Sequence, residues 1–219
     1  MSLFKVVGLG PGNPELLTVK GYKAIMDAEI VFYPKTSLNS AENILNLLGV
    51  NKDRMKAMEF PIGSERLQEL SREYAKMIMD TERDNIKSVY AVEGEPMLYS
   101  SFLDIMPYLT IEYEIIPGIS SINGISSRMQ IILATKDEPM LVLPAINDYN
   151  YMENKIMSCN NIVILKAIRA KDAIKKIIEN NGIKNYYIMS YVSTEKEIIY
   201  NNIDDITDYM TIVVIKRYT

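Results

Sequence analysis

The chain contains no histidine and no tryptophan, and it carries a single cysteine, Cys159. Without imidazole, a Ser-His or Cys-His nucleophile is impossible. A zinc site would have one thiolate and no nitrogen ligand from a side chain. General base work near neutral pH falls to a carboxylate, a tyrosine, a lysine or water. One cysteine rules out an internal disulfide and fits a reducing compartment, so a cytoplasmic location is expected. No apolar run approaches the roughly 18 to 20 residues that span a bilayer. Met1-Ser2-Leu3 leads into a strand pattern without the features of a signal peptide, and no membrane partner is expected. Positive charge is also short: 24 Lys and Arg face 28 Asp and Glu, a net charge of −4. That balance gives no global basic field for nucleic acid.

What is present is an ordinary globular composition, 48% hydrophobic and 24% charged over 219 residues. That length suits one large domain or two small ones. Short β-rich runs bounded by turn residues predict strands at Phe4–Gly8, Ile30–Tyr33, Lys56–Glu59, Ser88–Val92 and Tyr113–Ile116. Between them lie helical patterns at Val19–Asp27 after Thr18, at Ala41–Leu48 before Gly49, and at Arg66–Asp80 with a charged outer face. This alternation predicts a parallel α/β sheet. After Pro117-Gly118 the texture changes. Helices are expected at Ser121–Met129, Tyr149–Met157 and Asp172–Asn180, and strands at Leu141–Leu143, Ile162–Leu165, Tyr186–Ser190, Glu197–Tyr200 and Thr211–Ile215. The consecutive late strands imply antiparallel pairing. The expected fold class is α/β, with two α/β domains: residues 1–116, mainly parallel, and 117–219, with a mixed sheet. The short connection implies that they share a cleft, a common place for a ligand.

Glycine and proline punctuate the strand ends. Val7-Gly8-Leu9-Gly10-Pro11-Gly12-Asn13-Pro14 looks like a dinucleotide fingerprint and fails as one, because the last small residue of Gly-x-Gly-x-x-Gly/Ala is Asn13. Pro11 and Pro14 also remove amide donors that a diphosphate would need. A second loop, Glu93-Gly94-Glu95-Pro96, follows a buried-type strand, and Gly94 permits close approach or positive φ. On local pattern alone it reads first as a strand-to-helix turn with solvated acids and only second as a ligand loop. Pro117-Gly118-Ile119-Ser120-Ser121 is a tight turn whose serines either cap the next helix or meet a ligand. Lys166 ends a strand, and Tyr191-Val192-Ser193-Thr194-Glu195 is a polar strand exit.

Taken in order, these loops resemble the tetrapyrrole methylase family over about residues 3 to 216. The first loop through Glu15-Leu16-Leu17-Thr18 is similar to the family's first signature, Glu93-Gly94-Glu95-Pro96 to its Gly-Asp-Pro loop, and Pro117–Ser121 to its Pro-Gly-Ile turn. Met97-Leu98-Tyr99-Ser100-Ser101-Phe102, Phe32-Tyr33-Pro34-Lys35, Ser40-Ala41, Leu133-Ala134, Met140–Ala145 and Asp208-Tyr209-Met210-Thr211 resemble the branch that methylates C20 of precorrin-2 in corrin synthesis. The resemblance implies S-adenosyl-L-methionine as cofactor, S-adenosyl-L-homocysteine as product, a polycarboxylate tetrapyrrole substrate held on the side of the first domain, a homodimer, and a cofactor bound between the two domains. It places the cofactor on Pro11, Glu93, Gly94, Glu95, Leu98, Ser120, Ser121, Lys166, Ala167, Val192 and Ser193. It gives no catalytic side chain and no protein-bound metal. Substrate candidates are Gly10, Asn13, Lys35, Arg54, Arg128 and Lys136; the four basic residues would offset the net negative charge locally.

Two positions depart from the family pattern. Asn13 and Glu95 stand where Asp is usual, which puts a fixed catalytic role for either in doubt. Other readings are another tetrapyrrole methylase, of uroporphyrinogen-III or precorrin-4 type, and more distantly an NAD-dependent oxidoreductase or a non-catalytic α/β binding module. Asn13 and the Tyr33-Pro34 strand end argue against the oxidoreductase.

Overall fold

The computed structural model describes residues 3–36, 38–60 and 66–217. Its contacts divide the chain into two compact units, with the division after Ser121.

The first unit is built on a five-stranded sheet in the order β3-β2-β4-β1-β5. The strands are β1 (Phe4–Gly8), β2 (Ile30–Lys35), β3 (Met55–Glu59), β4 (Ser88–Val92) and β5 (Tyr113–Ile116). Every pairing is parallel, as the strand–helix alternation predicts. Alternate residues of β1 supply opposite layers, the period-two rule of a strand buried on both faces. Val7 and the adjoining Leu9 join Ala24 and Ile25 of helix α1 (Val19–Asp27) and Ile44 and Leu45 of α2 (Ser40–Leu47). Phe4 and Val6 join Tyr74 and Ile78 of α3 (Leu67–Arg83) and Phe102 and Ile105 of α4 (Phe102–Ile105).

Two boundaries differ from the sequence expectation for identifiable reasons. Strand β2 runs on through Pro34 to Lys35. Past Phe32 it pairs with β3 alone, so a residue lacking N–H is tolerated. Helix α3 extends to Arg83, where Asp80 pairs with both Lys76 and Arg83. The strand-to-helix turn of the second loop leads into a single helical turn, because Pro107 follows within the 3-10 turn Met106–Tyr108.

The second unit carries a sheet in the order β6-β7-β10-β8-β9, comprising β6 (Met140–Pro144), β7 (Asn161–Leu165), β8 (Tyr186–Ser190), β9 (Ile198–Tyr200) and β10 (Thr211–Lys216). Only β6 and β7 pair in parallel; β10 pairs antiparallel with β7 and β8, and β8 with β9. Helices α6 (Tyr149–Met157) and α7 (Lys171–Asn180) bury Met152, Ile156, Ile174 and Ile177 on one face. Ile122 and Ile125 of α5 (Ser121–Met129) pack on the other.

Candidate functional site

In the first unit the carboxyl ends of β4, β1 and β5 lie side by side. The chain leaves β1 through α1 on one face and leaves β4 through α4 on the other. The ends of β1 and β4 are therefore the topological switch point, where open α/β sheets bind ligands.

Three loops meet there. Pairing between β1 and β4 continues beyond the strands: Leu9 N donates to Val92 O at 2.8 Å, and Gly94 N to Gly10 O at 2.8 Å. Gly8, Gly94 and Gly118 touch through backbone atoms, and a Cβ on Gly8 would stand 2.6 Å from Gly94 O and from Gly118 Cα. Glu95 joins the second and third loops. Its Oε1 accepts from Met97 N at 3.1 Å and its Oε2 from Gly118 N at 2.9 Å. Gly94 has φ +73° and nothing within 4 Å of where a Cβ would stand, so its Cα faces open space.

The supports of these loops come from distant residues. Tyr90 of β4 is fully buried, and its hydroxyl pairs with Ser101 Oγ at 2.7 Å. Burial pushes this phenol well above its ordinary pKa, so it stays a neutral hydrogen-bonding anchor. The second loop thus hangs between Gly94 and Ser101, with Met97, Leu98 and Tyr99 exposed between those points. In the first loop Pro11 is buried, and Asn13 Oδ1 accepts from Glu15 N at 2.9 Å to cap the 3-10 turn Pro14–Leu16. Asparagine and aspartate both perform that capping, so Asn13 keeps the loop's shape without the charge.

The second unit gathers the remaining candidates at one sheet edge. Strands β7 and β8 both run antiparallel to β10, so both end at the edge where β10 begins. Lys166 leaves β7 with φ +56°, its Nζ 5.3 Å from the Tyr209 ring centroid, and Ala167 follows fully buried. Beyond β8 the buried Val192 sits between Tyr191 and Ser193, whose φ values are +52° and +62°. Such backbone in non-glycine residues is costly and concentrates at functional sites. Glu197 holds this turn: Oε2 accepts from Ser193 N at 2.9 Å, and Oε1 pairs with Arg128 Nε at 2.6 Å.

Asp208 adds a polar cluster at the same edge. The Tyr200 hydroxyl, with further hydrogen bonds from Tyr191 and Thr207, holds its carboxyl below the usual carboxylate range. The folded form therefore loses its proton at lower pH than the unfolded chain. The resulting stability is complete above the unfolded pKa, about 4, and is lost as pH falls through the folded value. Asp208→Asn is expected to flatten the acid limb of the stability–pH curve below about pH 4, as read by urea unfolding at a series of pH values.

The structure thus brings Gly10, Pro11, Asn13, Glu93, Gly94, Glu95 and Leu98 to the loops at the β1 and β4 ends, with Ser120 following Gly118 on the third loop and Ser121 opening α5. Lys35 closes β2 at the same carboxyl edge, and Lys136 is exposed between α5 and β6. Arg54 is not brought there. It precedes β3 at the opposite edge of the parallel sheet, and its Nη2 donates to the carbonyls of Ile25, Met26 and Ala28 at the end of α1. A guanidinium among orphan helix carbonyls is a cap, which removes Arg54 from the substrate candidates. Arg54→Ala should destabilise the fold by about 2 kcal/mol in urea unfolding. Arg128 is likewise engaged, by Glu197. Sequence reasoning quoted Ser101 and Asp208 only within family-like segments and gave no role to them, to Tyr90 or to Glu197, because their partners are fixed by tertiary packing.

Comparison with known proteins follows the same lines. The sequence model of the tetrapyrrole (corrin/porphyrin) methylases matches residues 4–207. Over 226 residues the chain is 25% identical to the "Probable cobalt-precorrin-2 C(20)-methyltransferase" of Methanocaldococcus jannaschii, covering 97% of this chain and 95% of that protein. It is 27% identical over 192 residues to the precorrin-2 C(20)-methyltransferase of a Sinorhizobium species, covering 80% and 78%. Among solved structures, the uroporphyrin-III C-methyl transferase of Thermus thermophilus complexed with S-adenyl homocysteine superposes with a TM-score of 0.67 at 16% identity, covering 97% of each chain. A fold shared at that level and a family match spanning nearly the whole chain have one reading: this chain belongs to the tetrapyrrole (corrin/porphyrin) methylases.

Proposed function

We propose that the protein transfers the methyl group of S-adenosyl-L-methionine to C20 of precorrin-2, with or without cobalt in the ring. The observation that carries this reading is the match to two relatives named for that reaction, which extends over 97% and 80% of the chain. The open space over Gly94 at the switch point leaves room for a cofactor beside the β1 and β4 ends. Pro11, Glu93, Gly94, Leu98, Ser120 and Ser121 are the first unit's proposed cofactor residues, with Glu95 beside them. Lys166, Ala167, Val192 and Ser193 are those of the second.

The sulfonium cofactor supplies an activated methyl group and its own leaving group. The residues of the chain then have to bind, align and exclude water, which provides a large share of such a rate. Exposed Met97, Leu98 and Tyr99 offer an apolar surface against which a flat macrocycle can lie. Lys35, Lys136 and the exposed Arg128 are the remaining cationic candidates for the substrate carboxylates, with Gly10 and Asn13 lining the first loop. No imidazole is available to move a proton, and none is required before attack when the nucleophile is an electron-rich meso carbon. We also place the protein in the cytoplasm as a homodimer; light scattering coupled to size exclusion reads the assembly.

Anaerobic incubation with precorrin-2, cobalt-free and cobalt-loaded, together with methyl-labelled cofactor tests the reading. Carbon NMR should place the label at C20. A label on another ring carbon would make the protein a different tetrapyrrole methylase.

A further inference from the structure

The geometry points to Glu95 as a positioning residue: its carboxylate clamps the second and third loops together by accepting one backbone amide from each. This deepens the proposed methyltransferase reading and rests on it. Oε1 takes Met97 N, two residues ahead on its own loop, and Oε2 takes Gly118 N, 23 residues away. Both oxygens are turned toward backbone donors, so the side chain is satisfied from within. The clamp lies where Gly8, Gly94 and Gly118 are in backbone contact. Fixing Met97 N sets the start of the exposed Met97-Leu98-Tyr99 segment, and fixing Gly118 N sets the turn that leads into Ser120 and Ser121. Neither hydrogen bond requires a ligand, so both pre-form the cofactor-facing loops and reduce the ordering that binding must otherwise impose.

Side-chain length is decisive. A carboxylate one methylene shorter still reaches an amide two residues on, the usual Asx-turn contact. It falls short of Gly118 N by about one C–C bond, roughly 1.5 Å, beyond hydrogen-bond range. Glutamine keeps the reach but has one acceptor oxygen, and its NH2 group would face an N–H. Glu95→Asp and Glu95→Gln therefore each lose one bond of the pair, by different routes.

The test is calorimetric titration of S-adenosylhomocysteine into the wild type and both variants, with amide hydrogen exchange at Gly118 and steady-state methylation kinetics. Each variant should weaken cofactor binding about tenfold, the equivalent of about 1.4 kcal/mol. Gly118 exchange should quicken in the Asp variant. KM for the methyl donor should rise while kcat at saturation stays within about twofold of wild type. Unchanged affinity together with unchanged Gly118 exchange in both variants would overturn the clamp. A fall in kcat at unchanged KM would overturn it too, by giving Glu95 a part in the chemistry. A wild type that binds no cofactor sinks the methyltransferase reading instead, and Gly118 exchange still judges the clamp.

Discussion

Gly118→Ala is expected to destabilise the protein by about 3 kcal/mol and to abolish cofactor binding, whereas Gly94→Ala, in an adjoining loop, should cost far less stability. The added methyl at Gly118 would press into Gly94 O and come within 2.8 Å of Gly8 Cα and of its carbonyl carbon. All of these are backbone atoms of neighbouring strand ends, so no side chain can swing aside. Relief requires the third loop to lift off β1 and β4, which breaks the Glu95 contact to Gly118 N. At Gly94 a methyl meets nothing within 4 Å, and the cost is that of φ +73° for an L-residue, about 1 kcal/mol. Its effect should fall on ligand binding, because the methyl occupies the open space at the switch point. Thermal unfolding separates the two variants by stability, and a binding titration should show weakened binding in Gly94→Ala without the loss of stability. Similar midpoints would mean that the three glycines are not in contact.

The second large effect concerns the far anchor of the same loop. Phe102→Ala is expected to lose about 3–5 kcal/mol. The ring is fully buried, 6.0 Å from Tyr90 and 5.6 Å edge-on from Tyr113 between centroids. Helix α4 is one turn long and ends at a proline-containing 3-10 turn, so it has no stability of its own. Burial of Phe102 and Ile105 holds it in place. Removing the ring leaves a cavity beside Tyr90 and loosens the Tyr90–Ser101 hydrogen bond that fixes the loop's end. Denaturant unfolding should show the loss, and cofactor affinity should fall with it. Exposed Met97, on the same loop, provides the control: Met97→Ser should change stability by less than about 0.5 kcal/mol.

Much of the architecture is written in local pattern. Phe4–Gly8, Ser88–Val92 and Tyr113–Ile116 are apolar runs closed by turn residues, and they form the strands the pattern predicts. Thr18 caps α1, as its position before the helical period implies; its Oγ1 accepts from Gly21 N. The boundaries that moved were set by partners. Pro34 remains within β2 because β4 stops pairing before it. The candidate residues divide in the same way. Gly94 and Gly118 are legible because a backbone without Cβ leaves a mark in sequence. Arg54 and Arg128 are not decided by sequence, because charge alone does not say whether a cation faces a ligand, a helix end or a glutamate.

The sequence by itself determined the strand–helix alternation, the parallel and mixed halves, the order of the loops and the exclusion of imidazole chemistry. These follow from the periods of 2 and 3.6 and from which residue types exist at all. Tertiary structure alone decided that Gly8, Gly94 and Gly118 are in contact, that Glu95 spans 23 residues to bind an amide, that Glu197 props Ser193, and that Arg54 caps α1. Each of these depends on distances between segments far apart in the chain. Those distances are set by strand order and packing, which no local window of sequence contains.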